Sequence, residues 1–262
     1  MSRRAQLASI YVRIGRTYWR WAPSLLLLAV VVFVPLGLIH ALTLQANIGS
    51  FDFEGGLALL AIVGAVVALA ATGLIGEVFY TGAVSILLTH PHDENGQPPS
   101  LREIAGMIKY GPLIAIDLLY GFAVALGLVF FFIPGILIFV WLGLSAPVVE
   151  IEHRGVRAAL RRSVELVRHK FWIVALVLIP IEIVGDALTN LATEATHGLF
   201  GSEFICEWLA DVLSNIAFTP FYAVAAVLLT VDLIQEKGGG VELHSTPSTM
   251  RPAAATSTPP SP

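Results

Sequence analysis

Residues 112–149 read PLIAIDLLYGFAVALGLVFFFIPGILIFVWLGLSAPVV, with Asp117 the single charged side chain in the run. A hydrocarbon core about 30 Å thick takes roughly 20 apolar helical residues to cross. The run is too long for one crossing and about right for two. Pro134-Gly135 supplies the break, since proline interrupts a helix and glycine tolerates a tight turn. The stretch therefore predicts two membrane helices, about Pro112 to Phe132 and about Ile136 to Val149, in tight succession. A single long kinked helix is the alternative, and it would change the number of spans from six to five.

Four more apolar stretches flank this pair: Trp21 to Leu42, about Gly56 to Leu88, about Phe171 to Leu191, and about Trp208 to Ile234. The chain is 56% hydrophobic and 13% charged, against about 25% charged in soluble domains. A soluble fold of this size lacks the charge to cover its surface, so lipid covers it. The fold class expected is all-α: a polytopic transmembrane bundle of six spans with cytoplasmic interfacial amphipathic helices. The domain plan is an amphipathic helix over 1–20, a membrane domain over 21–235 and a disordered tail over 236–262. That tail is rich in Ser, Thr and Pro and has little apolar surface to bury. The apolar run of span one is longer than a signal-peptide core and no clear small-x-small site follows it, so it reads as an uncleaved anchor.

Charge placement orients the chain. Lys and Arg beside span ends mark the cytoplasmic side. All 15 basic residues fall in four segments: before span one, between spans two and three, between spans four and five, and after span six. The intervening segments carry acids such as Asp52, Glu54, Glu194, Glu203 and Glu207. Six spans keep this segregation whole and put both termini in the cytoplasm; five would break it at the C-terminal end. Arginine outnumbers lysine and Ala and Gly are abundant, which points to a bacterial cytoplasmic membrane.

Three inner segments have amphipathic periodicity. Leu7, Ile10, Tyr11, Ile14, Tyr18 and Trp21 share one face of the first, with Arg13, Arg16 and Arg20 on another. Ser100-Leu101-Arg102-Glu103 reads as a capping box opening the second. In the third, from Gly155 to Lys170, Val156, Ala159, Leu160, Val164 and Val167 line one face. Arg154, Arg157, Arg161 and Arg168 lie on the opposite face with Glu165, and Arg162 joins this basic set. Such helices lie in the headgroup layer, so anionic lipid or a membrane partner is one reading and a solvated topology anchor the other. Glu150, just before this helix, is expected to pair with Arg161 or Arg162.

The stretch from Phe132 to Trp172 also carries a resemblance. It contains Ile133-Pro134-Gly135, then Pro147-Val148-Val149-Glu150, then Gly155, Ala158, Ala159, Leu160, Arg162-Ser163, Leu166-Val167 and Phe171-Trp172. This resembles the membrane domain of the glycerophosphoryl diester phosphodiesterase family, a set of six-span bacterial membrane proteins. The resemblance implies a helical membrane domain and does not imply catalysis, because the enzymatic members carry activity on a separate barrel. Such a barrel takes about 250 residues, which this chain cannot supply beside its spans. His153-Arg154-Gly155 matches a tripeptide of those barrels, but no βα repeat surrounds it here.

Acids inside spans are costly and default to functional hypotheses. On span five Glu182, Asp186 and Asn190 repeat every fourth residue, so they share a face. On span six Asp211, Asn215 and Thr219 do the same. Pro180 and Pro220 sit near mid-span and free backbone carbonyls, a feature of transporters. The inner half holds Glu77, Asp117 and Glu150. A stripe of small residues, Ala61, Ala65, Ala68, Thr72 and Gly76, makes span two a candidate for the bundle centre. The polar stripes fit either interhelical hydrogen bonding or an acidic cavity for a cation, proton or polar solute.

One cysteine, Cys206, excludes an internal disulfide and any cysteine-based metal cluster. His90-Pro91-His92-Asp93 offers two histidines without a third fixed ligand, so no metal is assigned. No nucleophile elbow, P-loop or HExxH motif appears, and no cofactor or nucleic-acid partner is implied. The expectation is a non-enzymatic membrane protein, a structural, assembly or membrane-homeostasis factor contacting anionic lipid or another membrane protein. The alternative is a small transporter or channel using the acidic stripes of spans five and six.

Overall fold

The computed structural model describes residues 3–45, 76–90, 98–130, 132–200, 203–241 and 243, and among these all regular structure is helical. The helices are α1 (Arg3–Gln45), α2 (Glu77–Thr89), α3 (Leu101–Met107), α4 (Tyr110–Phe130), α5 (Phe132–Leu142), α6 (Ser145–Ile151), α7 (Val156–Val167), α8 (Phe171–Phe200) and α9 (Glu203–Glu236). Among the described residues five segments are long and apolar enough to cross a membrane: Arg4–Ile39, Tyr110–Leu128, Phe132–Ile151, Phe171–Leu188 and Trp208–Glu236. The first part of the expected span two, with Ala61, Ala65, Ala68 and Thr72, lies outside the described residues. So do Pro91, His92, Asp93 and the tail beyond residue 243.

The run from 112 to 149 folds back on itself. Helix α4 ends at Phe130 and α5 begins at Phe132, which puts Pro134 in the first turn of α5, where its missing N–H costs nothing. Gly127 and Gly135 then meet across the hairpin. A Cβ on Gly127 would lie 2.8 Å from the Cα of Gly135, and one on Gly135 would lie 2.6 Å from the amide nitrogen of Leu128. Eight residues of continuous helix would separate them by about 12 Å, so a single kinked helix is excluded.

Helix α9 forms the centre of the bundle. Its residues Tyr222 to Val231 are buried without interruption, the signature of a helix packed on all sides. Helix α1 lies antiparallel along it. At one end Arg13 forms a two-pronged ion pair with Asp232, at 2.9 and 3.0 Å. At the other the Trp208 indole N–H reaches the carbonyl of Val34 at 3.4 Å. The separation along α1 is about 30 Å, the thickness of a hydrocarbon core.

The amphipathic helix expected over 1–20 is continuous with the first span inside α1. Its apolar face turns onto protein: Ile10, Ile14, Tyr18 and Trp21 are buried, and Tyr18 stacks on Phe221 with ring centroids 4.1 Å apart. The outer faces are apolar as lipid requires. On α4, Ile114, Leu118 and Phe122 recur every fourth residue and are exposed.

Candidate functional site: an intramembrane carboxyl centre

Helix α2 begins inside the apolar bundle. Gly76 precedes it with φ 101°, a left-handed conformation that glycine adopts freely. A side chain at that position would also run into Leu36, 2.4 Å from its Cβ. The start of a helix leaves backbone amides without partners, and in lipid no water can take them. Asp117 of α4 supplies the acceptor: its Oδ2 takes the Gly76 amide at 2.7 Å, with the amides of Val78 and Phe79 beside it. Asp117 is 4% exposed, and its second oxygen, Oδ1, makes no hydrogen bond among the described residues.

Glu77, the next residue, has a buried Oε2 that also makes no hydrogen bond among the described residues. It stands within electrostatic reach of Glu182, Asp117 and Asp186. Glu77 of α2 thus has acids of two other helices within electrostatic reach, the buried Asp117 of α4 and, on α8, the half-buried Glu182 and the exposed Asp186. Two tyrosines close the centre. The Tyr120 and Tyr222 hydroxyls lie 3.5 Å apart, both rings are buried, and both lie within electrostatic reach of Glu77 and Glu182. Neither tyrosine stands out in the sequence, where aromatic residues inside spans are ordinary core.

The other polar residues divide. Thr219 donates to Asn215 Oδ1 at 3.1 Å, an internal bond one turn along α9. Asn190 is exposed. Asp211 belongs to α9, with its side chain outside the described set. Glu150 does not pair with Arg161 or Arg162. Its Oε1 accepts the amide of Lys109 at 3.0 Å, because the break between α3 and α4 exposes that amide at the start of α4. Glu152 takes the arginines instead: Arg162 at 3.0 Å and Arg154. Arg161 reaches Glu165 at 3.6 Å, and Arg157 and Arg168 are exposed. The capping box of Ser100 and Glu103 is formed.

Among the described residues no three His, Cys, Asp or Glu converge closely enough to hold a metal ion. Compared with family models, curated proteins and solved structures, the chain matches none.

Proposed function

We propose that the protein is a small membrane transporter for a cationic solute, working through Glu77, Asp117, Glu182 and Asp186. The observation that carries this is the pair of carboxyl oxygens, Glu77 Oε2 and Asp117 Oδ1, buried without a hydrogen-bond partner among the described residues. An ionised carboxylate left uncompensated in a low-dielectric interior costs several kcal/mol, and a bound cation or proton removes that cost. A helix beginning inside the membrane supports the same reading, since interrupted helices build solute sites in transporters. This reading is non-enzymatic. It places α2 as the inner half of a sixth span, with both termini on the cytoplasmic side of a bacterial membrane. The ion pair of Arg13 with Asp232 and the contact of Lys170 with Glu236 at 3.2 Å support that arrangement. Relation to the membrane domain of the glycerophosphoryl diester phosphodiesterase family belongs to the same proposal, supported by the hairpin at Pro134-Gly135 and the basic helix after Glu150.

The test is flux in proteoliposomes with the membrane potential clamped. Protein-dependent uptake of methylammonium, the lipophilic cation ethidium or protons is expected, and it should fall at least tenfold in Glu77→Gln and Glu182→Gln. Absence of flux for all three ions would remove the transporter reading.

A second reading rests on α7, whose Arg157, Arg161 and Arg168 face outward. There the protein is a structural or membrane-homeostasis factor holding anionic lipid or a partner protein. Co-purified anionic lipid that is lost when those three arginines are neutralised, without any flux, would select it.

A further inference from the structure

Beside the carboxyl centre a groove of about 530 Å³ runs in from the lipid-facing surface between α1, α3 and α4. Val31, Tyr110, Ile114 and Leu118 stand at its mouth and are exposed; Gly76 and Asp117 form its inner end. The walls are hydrocarbon from Leu28, Val32, Phe79 and Ile104. Among the described residues Asp117 is the one charged side chain that lines it, and its Oδ1 is a buried acceptor without a donor.

We infer that this groove is a lateral binding site for a lipophilic monovalent cation carrying an N–H donor, an ammonium or amino-substituted aromatic cation that enters from the bilayer. The inference rests on the transporter reading and adds the class of substrate and its route. Three features select that chemistry. The volume suits a single drug-sized molecule. The walls offer burial to an apolar body, and the Tyr110 hydroxyl at the mouth already donates to the Ala105 carbonyl. The inner end offers one acceptor oxygen, while the other is already held by the Gly76 amide, so the ligand donates one hydrogen bond and brings one charge. A hydrated inorganic ion would have to shed its water against hydrocarbon walls, which is unfavourable. A neutral lipid chain would fill the groove and leave Oδ1 unanswered.

The probe is ethidium, a planar lipophilic monocation with amino N–H groups, titrated against the full chain in nanodiscs and followed by fluorescence anisotropy, with empty nanodiscs subtracted. Neutral Nile red is the comparison. Saturable ethidium binding is expected, weakened at least tenfold by Asp117→Asn, which keeps an oxygen for the Gly76 amide and removes the charge. Ile114→Trp, a substitution at the exposed mouth, should weaken it similarly while Asp117 stays in place. Nile red binding should not respond to Asp117→Asn. Ethidium binding that is non-saturable, or equal in wild type and Asp117→Asn, would overturn the inference, as would parallel losses of Nile red and ethidium in that variant. Methylammonium flux without ethidium binding would leave transport standing and remove the groove as its entry.

Discussion

The Tyr11 hydroxyl donates to the carbonyl oxygen of Leu176 at 2.7 Å, bridging α1 and α8. That oxygen is free of its helical bond because the residue four positions on is Pro180, which has no N–H to return it. A hydroxyl from another helix takes the place of the missing amide.

Tyr11→Phe should therefore lower stability by about 1–2 kcal/mol, read as a shift in the midpoint of detergent denaturation. In a Pro180→Ala background the helix recovers its own amide, and the same Tyr11→Phe change should then cost much less. Equal costs in the two backgrounds would refute the link between the proline and the tyrosine.

The hairpin of α4 and α5 depends on two glycines in backbone contact. Gly135→Val should abolish the monodisperse, folded fraction in size-exclusion chromatography, because its first carbon would overlap the backbone of Leu128. Overpacking of this kind costs about 1–3 kcal/mol even where the neighbours can move, and a backbone neighbour moves little. Gly111→Ala, with nothing within 4 Å of the new carbon, should be tolerated. A stable Gly135→Val protein would mean that the two helices do not touch there.

Much of this fold was legible in the sequence because lipid imposes coarse rules. Hydrophobic length marked the helices, and Pro134-Gly135 marked the reversal. The capping box at Ser100 is purely local and reads directly. The carboxyl centre was legible only in part: Glu77, Asp117, Glu182 and Asp186 each stood out as acids in apolar surroundings, but nothing local says that α2, α4 and α8 bring them together. Glu150 shows the limit. Its spacing to Arg161 and Arg162 suggested an ion pair, but a backbone amide at a helix start is invisible in a list of side chains. The pairing of Glu152 with Arg162, ten residues apart, depends on the turn from 152 to 155.

That turn separates two neighbouring arginines sharply. Arg162 is 20% exposed against a Glu152 that is 12% exposed, whereas Arg161 and Glu165 are 78% and 51% exposed. Exposed pairs are worth about 0–1 kcal/mol, and breaking a sheltered one leaves a charge without its partner. Arg162→Ala should therefore lower the thermal midpoint clearly and Arg161→Ala hardly at all. Equal effects would show that Glu152 does not anchor α7.

Asp117 serves the start of α2 as well as the groove. Asp117→Ala removes the acceptor for the Gly76 amide and should destabilise by about 1–2 kcal/mol, the range for losing a helix cap. Asp117→Asn keeps an acceptor oxygen and should cost well under half as much. The thermal midpoints of the two variants, measured without ligand, separate the capping role from any role of the charge. If Asn costs as much as Ala, the charge itself holds the helix.

The antiparallel course of α1 and α9 decides how the chain sits in the membrane. Arg13 and Asp232 meet at one end of the pair and Val34 and Trp208 at the other, so the beginning of α1 and the end of α9 share one surface. Ser9, Ala195 and Gly240 are exposed, and each can be replaced by cysteine after Cys206→Ser has removed the native thiol. In sealed spheroplasts a membrane-impermeant maleimide should label Ala195→Cys and spare both Ser9→Cys and Gly240→Cys until the membrane is opened. An even number of crossings requires Ser9 and Gly240 to behave alike. Labelling of Gly240→Cys in intact spheroplasts, with Ser9→Cys and Ala195→Cys both spared, would instead require an odd number, and with it a break in the segregation of arginine and lysine that the sequence otherwise maintains.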